Sequence, residues 1–109
     1  MMLRTQKQRD DLCRTCPIAK VADIIGDPCS LLIVRDLLDE PRRFSHLDES
    51  LGMSTRTLTK ALRRLEGEAI VKRVEYKAIP PRVEYRLTPK GRALNTVVDE
   101  MRKYGKKYL

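Results

Sequence analysis

The sequence contains no tryptophan and only one phenylalanine and one histidine among its 109 residues. Its hydrophobic content of 41% is therefore mostly aliphatic, and it suffices for the modest core of one domain. No apolar run is long enough to span a bilayer, and the first twelve residues are too polar for a signal peptide. These absences favour a small cytoplasmic protein.

The sequence has three cysteines, which is too few and an odd number for a disulfide framework. This count favours free thiols in a reducing compartment. Cys13 and Cys16 have the spacing of half a metal site, and Cys29 and His46 are the further candidate ligands. A zinc site is the weaker interpretation, because these residues fall in different predicted elements. A thioredoxin-like role is weaker still, because no βαβ unit surrounds Cys13 and Cys16. No Ser/His/Asp constellation or phosphate-binding glycine loop is evident. We therefore expect neither an enzyme nor a cofactor.

Acidic residues are scarce in one region of the chain. Residues 56–92 contain 11 Lys/Arg against four Asp/Glu, whereas the other residues contain 12 against 11. Nearly all of the formal net charge of +8 therefore belongs to this region. The asymmetry predicts a defined basic surface that suits a polyanionic partner.

Residues 54–67 predict a helix whose two sides differ chemically. Ser54 is a good N-cap, and Gly67 is expected to end the helix in a left-handed conformation. The core-facing stripe contains Leu58, Ala61, Leu62 and Leu65. The opposite side contains Arg56, Thr59, Lys60 and Arg63. A side with three cations and no acid favours a helix that lies against DNA over a merely solvated one.

The segments before this helix predict further helices. Pro17 and Pro28 each mark a helix start, and the second of these helices is the most apolar and should be central. The first presents one apolar face, which contains Ile18, Val21, Ala22 and Ile25. Ser45 and Asp48 resemble a capping box for a short third helix. A turn containing Gly52 then leads to the basic helix, which is the helix-turn-helix arrangement.

After residue 67 the pattern changes to that of strands. Residues 70–76 and 83–87 are rich in β-branched and aromatic residues, and a loop with two prolines joins them into a hairpin, or wing. Thr88 and Pro89 then begin a last long helix. One stripe of it contains Leu94, Val97, Val98, Met101, Tyr104 and Tyr108. This stripe has no evident cover in so small a domain, which predicts a two-fold partner.

Seven short segments carry a resemblance to a known family. They are residues 16–19 (CPIA), 31–37 (LLIVRDL), 41–47 (PRRFSHL), 54–59 (STRTLT), 62–66 (LRRLE), 81–85 (PRVEY) and 87–91 (LTPKG). Together they resemble the HxlR family of winged-helix transcriptional regulators, which are related in fold to MarR proteins. The resemblance covers about residues 16–94 and implies a dimeric DNA-binding repressor or activator whose terminal helices form the interface.

The resemblance has one clear departure and one implication for control. Family members usually have Gly-Gly-Lys-Trp where this chain has Gly-Asp-Pro-Cys at residues 26–29, so packing at the start of the central helix must differ. In some members a cysteine at the position of Cys16 senses oxidants or electrophiles. Cys16 also precedes a helix start, near Arg14 and Lys20, which favours a thiolate. The alternative is a cap residue without a sensing role.

These observations define one interpretation. The fold class is mainly α with a small β-hairpin wing, divided into an arm (1–15), a winged helix-turn-helix domain (16–88) and a dimerisation helix (89–109). The expected function is a homodimeric regulator that binds a palindromic operator in double-stranded DNA, with a thiol response at Cys16 or Cys13 as the open question of its control. The expected DNA contacts are Ser54, Thr55, Arg56, Thr59, Lys60, Arg63 and Arg82. The alternatives are a winged-helix protein-interaction module and a redox or metal protein built on Cys13 and Cys16.

Overall fold

The computed structural model describes residues 16–109, so the predicted arm and Cys13 lie outside the described residues. In chain order the elements are α1 (Pro17–Ile25), α2 (Pro28–Asp39), α3 (Phe44–Leu51), α4 (Thr55–Gly67), β1 (Val71–Tyr76), β2 (Arg82–Leu87), α5 (Pro89–Arg92) and α6 (Asn95–Tyr108). The predicted helix-turn-helix followed by a hairpin is confirmed. Within the described residues, no helix is both long and apolar enough to cross a membrane.

The core is built around α2, as its apolar sequence predicts. Ile33, Val34 and Leu37 are at most 2% exposed, and α2 contacts α1, α3, α4 and β2. From α4, the buried side chains are Leu58, Ala61, Leu62 and Leu65. Burying one such aliphatic side chain contributes about 1.5–3 kcal/mol. The packing therefore fixes one side of α4 against α2 and leaves its other side outward.

Two of the predicted helix starts are confirmed by their caps. The Asp27 carboxylate accepts a hydrogen bond from the Ser30 N–H at 2.9 Å, and the Ser54 hydroxyl accepts one from the Thr57 N–H at 3.1 Å. The predicted capping box of Ser45 is wrong. Helix α3 begins two residues earlier than a Ser45 cap would place it, at Phe44, with Arg43 as its N-cap and no side-chain cap hydrogen bond. An earlier start is consistent with the position of Phe44, which is partly buried against the core.

The end of α4 also differs from the expectation. Gly67 is still helical, and Ala69 adopts the left-handed conformation, with φ of 59°. The reason lies in the next residue, because Ile70 is only 2% exposed and its N–H donates to the Leu65 carbonyl at 2.9 Å. Burying Ile70 thus places the reversal two residues beyond the glycine, despite the usual cost of this conformation for alanine.

The segment after the wing forms two helices where one was predicted. Thr88 caps α5, whose four residues are followed by a turn at residues 93–94 before α6 begins. This break turns Leu94 and Val98 toward the chain's own core, so the expectation that the whole stripe lacks cover is wrong for these two. The exposed remainder is Val97, Met101, Tyr104 and Tyr108.

The wing is a two-stranded antiparallel sheet with an additional pairing from elsewhere in the chain. Its register runs from Val71 opposite Leu87 to Tyr76 opposite Arg82. The turn between α2 and α3 joins it, because Arg42 and Tyr85 exchange two backbone hydrogen bonds of 3.0 and 2.7 Å. The base of the wing is therefore tied to the helix-turn-helix unit.

Candidate nucleic-acid interface

The outer side of α4 carries three cations at i, i+4 and i+7. Arg56, Lys60 and Arg63 are all exposed, and Thr59 lies partly exposed between them. No acidic group within residues 16–109 forms an ion pair with any of the three. Other arginines of the molecule do have such partners: Arg35 binds Asp36 at 2.9 Å. The outer side of α4 is thus a cationic surface that is free to bind anions.

The start of α4 adds polar groups to this surface. Ser54 and Thr55 are both exposed, and the Ser54 hydroxyl donates to the Thr57 hydroxyl at 2.8 Å while capping the helix. Backbone N–H groups in the first turn of a helix can bind phosphate, and the helix dipole favours the negative charge. This end of α4 is therefore suited to the sugar–phosphate backbone, while the following turns are suited to base edges.

Arg82 lies at the loop end of the wing, opposite Tyr76. Its guanidinium sits 5.2 Å from the centre of the Tyr76 ring and 3.7 Å from the Glu84 carboxylate. Its side chain remains 52% exposed. The aromatic ring supports the guanidinium, and the long ion pair restrains it only weakly, since exposed pairs contribute about 0–1 kcal/mol. Arg82 can therefore leave Glu84 for a phosphate at small cost.

Arg64 follows Arg63 in sequence but has a different environment. Its side chain is 23% exposed and reaches Asp27, with 2.7 Å between Nη2 and Oδ1. The charge pattern of α4 does not separate Arg64 from its neighbours, and so it predicts no separate role for this residue. One signal could have indicated a role, because Asp27 is an acidic cap on the helix against which α4 packs.

The two thiols in the described part of the chain differ in environment. Cys16 is the N-cap of α1, is partly exposed and makes no side-chain cap hydrogen bond. Cys29 is buried, and this burial, followed by the nearby Asp27 carboxylate, raises the pKa of its thiol, against a lowering by Arg64. The prediction that Cys29 is a core residue is confirmed. Within residues 16–109 no cluster of three or more metal-ligand side chains is present, and Cys13 lies outside that range.

A second exposed surface differs in character from the first. The predicted apolar face of α1 is mostly open: Ile18 is 81% exposed, and only Ile25 of its members is buried. Together with Val97 and Met101 of α6, α1 lines a groove of about 500 Å³. We call this the α1–α6 face. Exposed apolar patches of this kind mark interaction sites in soluble proteins.

A helix-turn-helix with a cationic outer helix and a wing tied to its base defines the winged-helix class of DNA-binding proteins. Comparison with known families places the chain within that class. The model of the HxlR-like helix-turn-helix family matches residues 24–109. The chain belongs to the HxlR family.

Individual relatives agree with this assignment. The chain is 42% identical over 95 residues to the uncharacterized HTH-type transcriptional regulator sll1512 of Synechocystis, which covers 86% of this chain and 70% of the relative. Among solved structures, the redox regulator HypR in its oxidized form superposes with a TM-score of 0.80 at 34% identity, covering 86% of this chain and 98% of that one. The reduced form of the regulator YodB from B. subtilis gives 0.76 at 33%, covering 86% and 94%. The chain is thus a helix-turn-helix transcriptional regulator.

Proposed function

We propose that the chain binds operator DNA with the outer side of α4 in the major groove and Arg82 at an adjacent minor groove or phosphate. The observation that carries this proposal is that Arg56, Lys60 and Arg63 are exposed on one side of α4 without acidic partners in the described structure. Arginine can bind guanine edges in two-pronged fashion, and lysine binds phosphates or guanine. Thr59 completes the side that would face the bases, and Ser54 and Thr55 would contact the backbone.

The alternative of a protein-interaction module is less well supported by this surface. The central part of a protein-binding surface, which the partner buries, is typically depleted in charged residues and enriched in aromatic residues. The outer side of α4 carries no aromatic residue, and its exposed members are cations and threonines. An operator contact fits this chemistry better.

The double variant Lys60→Ala plus Arg63→Ala tests the proposal directly. DNA fragments selected from a random pool by the wild-type protein provide the operator, and fluorescence anisotropy measures affinity across a salt series. Loss of a base-reading arginine should reduce affinity by about 1–3 kcal/mol and relax one position of the site. Loss of a phosphate contact should reduce the salt slope by about one unit.

A control variant separates this contact from total charge. Lys103→Ala plus Lys106→Ala removes the same two positive charges from exposed positions on α6. It should bind the operator within about twofold of wild type, because surface charges beyond a Debye length are largely screened. Wild-type affinity in the α4 double variant would show that this side of the helix does not read DNA.

We further propose that two copies pair through the α1–α6 face. Its exposed members Ile18, Val21, Val97 and Met101 form an apolar surface that another copy can cover isologously. Tyr104 and Tyr108, which are exposed further along α6, would extend this surface. A two-fold dimer would hold its two α4 helices about 34–36 Å apart, one DNA turn, and would require a roughly palindromic operator.

Thiol control at Cys16 is a third part of the proposal. Cys16 is partly exposed at the start of α1, the helix that forms one wall of the α1–α6 face. An oxidant that joins the Cys16 thiol to Cys13, or to a cysteine of the other copy, would move α1 and with it the paired α4 helices. Small rigid-body shifts at a subunit interface are sufficient to misalign two half-sites.

Operator affinity before and after diamide, for wild type and Cys16→Ser, tests this control. We expect wild type to lose affinity on oxidation and to recover it with a reductant, and Cys16→Ser to keep it throughout. Equal loss of affinity in both proteins, or no loss in either, would mean that Cys16 caps the helix start without a sensing role.

A further inference from the structure

The guanidinium of Arg64 connects three elements at once. Its Nη1 donates to the Asp23 carbonyl of α1 at 2.8 Å, and its Nη2 donates to the Asp27 carboxylate at 2.7 Å and to the Ser30 hydroxyl of α2. The acceptors are well enclosed: the Asp27 side chain is 16% exposed, and Ser30 is fully buried. Charge-assisted bonds in such a setting are stronger and geometrically stricter than those at the surface.

The two carboxylate oxygens of Asp27 have separate roles. Oδ2 accepts the Ser30 N–H and so caps α2, while Oδ1 accepts the Arg64 guanidinium. The side chain that starts α2 therefore also binds the helix that faces DNA. Arg64 in turn binds the last turn of α1 through a carbonyl, where a positive charge is favoured by the helix dipole.

This placement links the two surfaces described above. Arg63 lies on the outer side of α4, and the next residue, Arg64, is bonded to α1. Helix α1 carries Ile18 and Val21 of the α1–α6 face. Apolar contacts between α4 and α2 allow small sliding movements, whereas a forked guanidinium with three acceptors fixes both distance and angle.

We propose that Arg64 is a positioning residue that fixes the angle between α1 and α4, and so sets the operator half-site spacing that the dimer accepts. It does this through Asp27, Ser30 and the Asp23 carbonyl, without touching DNA. The inference rests on the proposed dimeric operator binding.

The variants Arg64→Lys, Arg64→Met and Asp27→Asn separate this role from others. Lysine keeps the positive charge but cannot bridge the same acceptors, and asparagine keeps a good N-cap for α2 but removes the ion pair. Each protein is titrated with the selected operator, with versions whose half-sites are one base pair closer or farther apart, and with an isolated half-site. Arg35→Lys is the matched control, because Arg35 is exposed and binds its neighbour Asp36.

Wild type and the control should discriminate against altered spacing at least roughly fivefold, within the usual range of coupling between sites. All three variants should reduce that discrimination to below about twofold while leaving half-site affinity and the salt slope unchanged. Sedimentation and thermal melting confirm that each variant is folded and dimeric. If Arg64→Met does not fold, Arg64→Lys and Asp27→Asn complete the test.

Two outcomes overturn the inference, and they differ from failure of the proposed function. Folded variants that retain wild-type spacing discrimination show that Arg64 does not set the angle. A uniform loss on every site with a flatter salt slope, restored in Arg64→Lys, shows a phosphate contact instead. Absence of any spacing preference in wild type refutes two-fold operator binding itself, and this inference with it.

Discussion

The outer side of α4 and the α1–α6 face are both exposed, but the first lacks acidic partners for its cations and the second lacks cover for its apolar side chains. On α4, Arg56, Lys60 and Arg63 have no acidic partner in the described structure. On the α1–α6 face, Ile18 and Met101 are exposed apolar side chains, 81% and 48% accessible. The first surface requires a partner of opposite charge, and its binding should weaken with salt. The second requires an apolar partner, and its pairing should be insensitive to salt.

The largest effect is expected when the apolar surface is made charged. We expect Ile18→Glu plus Met101→Glu to dissociate the proposed dimer, because pairing would bury carboxylates without partners. Operator affinity should then fall by about 100-fold or more, since the second half-site contact loses its avidity. Affinity for an isolated half-site should remain unchanged. Sedimentation velocity and operator titration measure the two effects.

Thr96→Glu is the control for this experiment. Thr96 is exposed on α6 beside Val97, and the variant adds a carboxylate to the same helix at a polar position. It should remain dimeric. A double variant that sediments as a dimer would place the pairing surface elsewhere.

The contact between α5 and the segment that follows α4 leaves no room for an added methyl group. Gly91 is buried in α5, and a Cβ there would overlap the carbonyl oxygen of Ile70, which follows the end of α4. We expect Gly91→Ala to destabilise the protein by about 3 kcal/mol, the upper range for overpacking. Such a loss lowers Tm by roughly 12 °C or more in a domain of this size.

Gly67→Ala is the matched control, because a Cβ at Gly67 meets nothing within 4 Å. Gly67 is helical, so alanine there should raise stability by up to about 1 kcal/mol. Thermal melting of both variants measures the difference. Equal melting temperatures would mean that the backbone at Gly91 can move away without cost.

The LTPKG segment shows what a sequence pattern can and cannot reveal. Its threonine and proline predict a helix start, and Thr88 does cap α5. The pattern does not show that the Lys90 ammonium donates to the Glu68 carbonyl at 2.8 Å, or that Gly91 approaches Ile70. Both contacts join residues about twenty positions apart, and local periodicity carries no information on such approaches.

Element type was predictable here because apolar spacing decides it, whereas element ends depend on tertiary contacts. The stripe of Leu58, Leu62 and Leu65 placed α4 correctly, but its end moved past Gly67 because Ile70 is buried. The charge pattern of α4 did not reveal the paired state of Arg64, since Arg63 beside it carries the same charge. Only the packing of α4 on α2 brings Arg64 to Asp27.

Two N-caps differ in their surroundings, and smaller effects are expected from their removal. Ser54 caps α4 at the proposed DNA-binding surface, whereas Thr88 caps α5 and also donates to the Ala69 carbonyl at 2.6 Å. Loss of a cap costs about 1 kcal/mol, and loss of a second hydrogen bond about another 1. The Ser54 hydroxyl also makes a second bond, to the Thr57 hydroxyl at 2.8 Å, but Ser54 is exposed and water can replace that bond, whereas Thr88 is partly buried. We therefore expect Thr88→Ala to cost more stability than Ser54→Ala, by up to about 1 kcal/mol. Urea unfolding measures both.

The exposed Thr96 supplies the control for these caps, because Thr96→Ala should change stability by less than about 0.5 kcal/mol. Ser54→Ala should in addition weaken operator binding, whereas Thr88→Ala should not once the protein is folded. If the two variants lose equal stability, the Ala69 contact contributes no more than the exposed bond between the Ser54 and Thr57 hydroxyls.

The smallest effect concerns the interior beside Arg64. Burial and the Asp27 carboxylate raise the pKa of the Cys29 thiol above its ordinary value of 9.0. As pH rises through 9.0 the unfolded chain releases this proton first and the folded chain retains it, so stability falls until the folded pKa is passed. The fall attributable to one group is at most about 1.4 kcal/mol per pH unit.

In Cys29→Ala the group is absent, so the stability gap between wild type and this variant should narrow between about pH 8 and 10. Val34→Ala, another buried truncation in α2, should show a gap that does not change with pH. Urea unfolding under reducing conditions at several pH values measures both gaps. A constant gap for Cys29→Ala would mean that the thiol ionises as readily in the folded chain as in the unfolded one.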